Sequence, residues 1–165
     1  MRVCESYKLI PYESKYLEEL SYQIMKFQQK AGTKYFLNSG RAHRTFTEKF
    51  AFFKLKTKEL IDSSQYNTIT IDEKSGKIYG FWSFRIKDGL CYIPFIFKSE
   101  EFKLHKSMFE ASYEAFESMK RLGFDEVHTI LSRKEKDLKK YLNFLKRYYN
   151  ITIKYDDPIS AIFHI

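Results

Sequence analysis

Very little in this 165-residue chain is made of glycine, proline or cysteine: six Gly, three Pro and two Cys. Few Gly and Pro leave no composition for a long flexible linker or a disordered tract. Cys4 and Cys91 form no CxxC pair and no Cys/His cluster, which excludes a disulfide framework and a zinc-finger site. They are expected to be reduced thiols in a cytoplasmic setting. No stretch approaches the roughly 20 apolar residues of a membrane span. No secretory leader is read at MRVCESYKL either, so the expectation is a soluble, intracellular protein. His43, His105, His128 and His164 show no metal-ligand spacing, so no metal is expected. There is no Ser/His/Asp pattern, no P-loop glycine run, no internal repeat and no low-complexity segment.

What is present in abundance is aromatic and basic. Sixteen Phe and 13 Tyr predict an aromatic-rich core in one domain spanning residues 1–165. The net charge of +8 favours anionic partners: nucleic acid, an acidic protein or a phosphorylated cofactor.

Periodicity and punctuation give the order of elements. YKLIPY (7–12) reads as a strand. Ser14 is placed to cap a helix that carries Leu17, Leu20, Ile24 and Phe27 on one face. Residues 31–44 read as a loop, with turn signals at Gly32 and Asn38-Ser39-Gly40. Thr45 and Glu48 have capping-box spacing and open a helix lined by Phe46, Phe50, Phe53 and Leu60. Strands at 66–73, 77–86 and 90–97 follow, joined by turns at Ser75-Gly76 and Asp88-Gly89, as an antiparallel meander. Pro94 cannot donate to a ladder, so a bulge or pairing gap is expected there.

A helix over 101–122 buries Leu104, Met108, Ala111, Ala115, Met119 and Leu122, and Gly123 closes it in the left-handed conformation. DEVHTIL (125–131) is the fifth strand, parallel to the fourth across the intervening helix. Ser132 and Glu135 repeat the capping-box spacing. The helix after them has Leu138, Tyr141, Leu142, Leu145 and Tyr148 on its apolar face. Strands 151–155 and 159–165 end the chain as a hairpin. The fold class is α/β (α+β): a mixed, mostly antiparallel sheet with helices on both faces.

This order, with GKIYGFWSFRI as third strand and KRLGFDEVHTIL as the passage into the fifth, resembles the GNAT superfamily of acyl-CoA-dependent N-acyltransferases over nearly the whole chain. The resemblance implies transfer of an acetyl group from acetyl-CoA to an amine. In that family the fourth strand runs into a Q/R-x-x-G-x-G/A loop whose amides cradle the cofactor pyrophosphate. Counting back from Gly123, Lys103 takes the Q/R position, while Lys106 and Met108 stand where the family has glycine. A side chain there obstructs backbone approach to phosphate, which predicts weak or absent cofactor binding; if the cofactor binds, Lys103 and Lys106 reach the phosphates by side chain with Ser107 beside them. The resemblance also implies that the amides of Phe97 and Lys98 polarise the thioester carbonyl, and that Ser132 stands near the pantetheine arm. It implies a tyrosine near the end of the last helix that protonates the departing thiolate; Tyr148 is the candidate, with Tyr141 and Tyr149 nearby. LCYIPFIF offers no carboxylate as a general base.

A second reading comes from a different class. Arg133, Lys134, Lys136, Lys139, Lys140, Lys146 and Arg147 crowd one helix, and Arg41, His43 and Arg44 add to the charge. A GNAT-like scaffold without catalysis would bind nucleic acid or an acidic protein partner through helix 133–147.

Overall fold

The computed structural model describes residues 7–31, 45–98, 107–131, 135–156 and 158–165; of these, the side chains of 27–31, 95–98, 107–109 and 135–137 are left aside. The strands are β1 (Tyr7–Pro11), β2 (Tyr66–Asp72), β3 (Ile78–Lys87), β4 (Leu90–Lys98), β5 (Glu126–Ile130), β6 (Ile151–Lys154) and β7 (Ser160–His164). The described helices are α1 (Leu17–Ala31), α2 (Phe46–Asp62), α3 (Ser107–Arg121) and α4 (Glu135–Tyr148). One seven-stranded sheet has the order β1-β2-β3-β4-β5-β7-β6, and β4–β5 is its parallel pair. The expected fold class is the observed one.

Local chemistry explains most boundaries. Thr45 Oγ1 accepts from the Glu48 amide at 3.2 Å and caps α2. Asp88 and Gly89 both have positive φ, 53° and 75°, the type I′ geometry that matches the twist of a two-residue hairpin. At the β2–β3 turn the Asp72 carboxylate accepts from the amide and hydroxyl of Ser75. Gly123, at φ +98°, closes α3: its amide bonds Lys120 O, and the Phe124 amide reaches Met119 O.

β3 lies at the centre of the packing. Its residues Ile78–Phe84 are all buried because helices cover both sheet faces. On one face Trp82, Phe84, Cys91, Ile93 and Val127 pack with Ala111, Ala115, Phe116 and Met119 of α3 and Leu145 of α4. On the other, Ile69, Ile78 and Phe81 pack with Leu20, Ile24 and Met25 of α1 and Phe53 and Leu60 of α2.

Four expectations are corrected. Ser14 does not cap α1; it begins a 3-10 turn, Ser14–Tyr16, before the α-helix starts at Leu17. Leu122 is exposed, since it falls in the turn after Arg121 and not on the helical stripe. Phe46 is also exposed, because the first turn of α2 overhangs the core; it stacks on Phe50 and meets the edge of Tyr22. Tyr148 leaves the apolar face as α4 ends and stands half-exposed against Phe144. The predicted loop turns at 32–40 and the proposed helical residues 101–106 lie outside the described residues.

Candidate functional site

The proline in β4 opens the sheet. Ser83 pairs with Phe95 and Arg85 with Tyr92, so Phe84 faces two residues of β4, Ile93 and Pro94. This is the bulge expected at Pro94. β4 pairs with β5 at two positions alone, Cys91↔Val127 and Tyr92↔His128. The Thr129 hydroxyl then donates to Ile93 O at 3.1 Å, the last tie between the strands in the described residues. Beyond it β4 stays with β3 through Lys98, while β5 stays with β7 through Ile130↔Ser160. Two strand edges therefore diverge inside a sheet. The backbone N–H and C=O groups along them are not paired to one another, and such groups need partners. An extended ligand carrying amides fits this slot as an added strand would.

A polar row lies beside the vertex of the cleft. Tyr92 and His128, the last paired residues, have ring centroids 5.6 Å apart. His128 Nε2 is 3.3 Å from one Glu126 carboxylate oxygen, and His164 Nδ1 is 4.0 Å from the other. Thr152 Oγ1 and His164 Nε2 are 2.7 Å apart. Glu126 and His128 alternate on β5, so they share the face opposite Val127. His164 is directly across from Glu126 on β7. The histidines look scattered in sequence because β7 follows β5 by some thirty residues; the tertiary pairing collects two of them. The one local signal is the Glu-x-His alternation. Among the described residues no group of three His, Cys, Asp or Glu could hold a metal ion.

The other nominated residues separate into two sets. Phe97 and Lys98 end β4, opposite Phe81 and Gly80, on the diverging part of the strand. Ser107 is the first described residue of α3. Lys103, Lys106 and Ser132 lie outside the described residues, as do Cys4, His43 and His105. Tyr148 is the last residue of α4, near the start of β5, whereas the cleft opens toward the end of β5. Its carbonyl accepts from the Tyr113 hydroxyl at 2.6 Å. With Tyr113, Phe116, Tyr149, Phe163 and His164 it lines a groove of about 280 Å³. Burial pushes the neighbouring Tyr149 hydroxyl up to about 12. Burial likewise pushes the Cys91 thiol up to about 11, which removes it as a thiolate nucleophile at neutral pH.

Solved structures share this architecture. An acetyltransferase of the GNAT family from Staphylococcus aureus superposes with a TM-score of 0.66 at 12% identity, covering 96% of this chain and 99% of that one. The PaiA N-acetyltransferase of Thermoplasma acidophilum, in complex with coenzyme A, gives 0.68 at 12% identity over 97% and 99% of the two chains. The ribosomal-protein-S5-alanine acetyltransferase of Vibrio fischeri gives 0.57 at 13% identity over 96% and 92%. No protein-family model matches the sequence, and no curated protein matches it. At these identities the likeness is one of fold: the chain has the GNAT fold.

Proposed function

We propose that this GNAT-fold chain is an N-acyltransferase that moves an acetyl group from acetyl-CoA to an amine. The observation that carries the reading is the divergence of β4 from β5 at the Ile93–Pro94 bulge. A slot edged by strand amides and carbonyls that are not paired across it suits the two amides of a pantetheine arm. The coenzyme A complex of the Thermoplasma neighbour supports the same ligand class.

Acetyl-CoA supplies the acyl group already activated as a thioester. Successive amides along a strand point to opposite edges, so one of Phe97 and Lys98 faces the cleft and donates to the thioester carbonyl. Aimed at the oxygen that becomes negative when the amine attacks, that amide lowers the barrier. Ser107, the first described residue of α3, joins the phosphate site, since the N-terminal side of a helix favours an anion. Lys103 and Lys106 supply side-chain charge there, and Ser132 flanks the pantetheine arm. His128 at the cleft vertex takes the proton of the attacking amine, and the Glu126 carboxylate stabilises the imidazolium formed. As the C–N bond forms and the C–S bond breaks, the thiolate takes its proton from the His128 imidazolium or from solvent. Tyr148, expected in this role, stands near the other end of β5 from the cleft, and burial commits the Tyr149 hydroxyl to the core.

Titration calorimetry with acetyl-CoA tests the reading, followed by thiol release in the presence of a polyamine, a peptide α-amine and a lysine peptide. Binding is expected to be weaker than low micromolar, and Lys106→Gly is expected to tighten it by restoring backbone approach. Low-micromolar binding that Lys106→Gly leaves unchanged would show that the side chain there is no obstacle. No heat with acetyl-CoA in either protein would end the acyltransferase reading.

A further inference from the structure

The solvent face of α4 has no part in the cleft chemistry. Lys139, Lys140, Asn143, Lys146 and Arg147 form its exposed arc. At 100° per residue these five positions fall within about a third of the helix circumference. The opposite arc is committed to the core through Leu142 and Leu145, so the helix cannot roll to present another face. No described carboxylate stands in the arc. Lys146 Nζ donates to the Tyr155 hydroxyl at 3.4 Å, and none of the four cations forms an ion pair with a described residue. The neighbouring helix α3 exposes Glu110, Glu114 and Glu117 along its length, and Lys120 and Arg121 in its last turn. Its exposed charges are mixed, whereas those of the α4 arc are all positive, so a polyanion is drawn to α4.

We infer that this face of α4 binds the phosphate backbone of double-stranded nucleic acid without reading sequence. Lys139 and Lys146, like Lys140 and Arg147, are seven residues apart, about 10 Å along the axis, so the cations form two rows of two. Single-strand binding surfaces interleave such charges with aromatic rings on which bases stack. No residue of the exposed arc is aromatic, and the one amide, Asn143, lies at its centre. Among the described residues, the one strongly exposed ring at its border is Tyr155, bonded to Lys146; a single ring gives one stacking position and not the row of rings that a single strand needs, so the arc offers mainly charge and hydrogen bonds to phosphate. This interaction does not depend on acetyl transfer.

The test is fluorescence anisotropy with a labelled mixed-sequence 20-bp DNA duplex across about 20–200 mM KCl, within the range where counterion release dominates. Four phosphate contacts give a slope of log K against log salt of about −3.6 or steeper. The Lys139→Gln/Lys140→Gln/Arg147→Gln variant, its fold checked by circular dichroism, is expected to flatten the slope by about 2.7. A matched variant, Lys8→Gln/Lys58→Gln/Lys87→Gln, removes the same charge from exposed positions on β1, α2 and β3 and is expected to keep the slope. Equal flattening in both variants would reduce the effect to bulk charge and overturn the proposal. So would no binding at the lowest salt, tighter binding of the single strand than of the duplex, or equal competition by polyglutamate, which would indicate an acidic protein partner.

Discussion

Gly80 has no room for a methyl group. A Cβ built there would come within 2.5 Å of Thr70 Oγ1 and 2.6 Å of the Trp82 ring, both buried. The indole lies over the glycine, so neither neighbour can withdraw without disturbing the central strand. Gly80→Ala is expected to destabilise the protein by about 1–3 kcal/mol, the usual cost of overpacking, measurable by urea unfolding. Sequence gives no hint of this, because a glycine in a strand is equally consistent with a bulge or a ligand contact. His128 is the second residue whose meaning depends on its neighbours. Under the acyltransferase reading, His128→Asn is expected to lower kcat by roughly 10²-fold or more while leaving acetyl-CoA affinity unchanged. Parallel losses in affinity and turnover would instead mark His128 as part of the cofactor slot.

At the scale of elements, caps and turns were legible because they are local. Thr45 bonds the Glu48 amide as the capping-box spacing implies, and Asp88-Gly89 makes the two-residue hairpin. Thr45→Ala is expected to cost about 1 kcal/mol, read as a lowered urea midpoint with an unchanged slope. Pro94 was legible too: a residue without an N–H must interrupt the ladder, and the register shifts beside it. Ser14 misled for a related reason. A serine in front of an apolar run signals a helix start, but here one 3-10 turn intervenes and the α-helix begins three residues later. Leu122 and Phe46 misled because periodicity extends smoothly past the point where a helix stops touching the core.

For the whole molecule, β3 couples two cores. Trp82 and Phe84 face α3 and α4, while Phe81 faces α1 and α2, so neither side can unfold without exposing the shared strand. A single cooperative unit is the expectation. Fluorescence of Trp82, the one tryptophan, and far-UV circular dichroism are expected to report the same urea midpoint. Two separated transitions would show that the faces fold independently.

The sequence by itself determined the elements and their order, since helix and strand periods, caps and tight turns depend on residues a few positions apart. It also determined that β4 and β5 run parallel, because a crossover helix of that length returns the chain to the same end of the sheet. Only the tertiary structure decided that β7 inserts between β5 and β6. That insertion brings His164 to Glu126, whose place beside His128 already follows from the alternation along β5. Such a juxtaposition is set by strand pairing over about forty residues, and pairing depends on which buried faces fit together, for which no local pattern in the sequence carries a record.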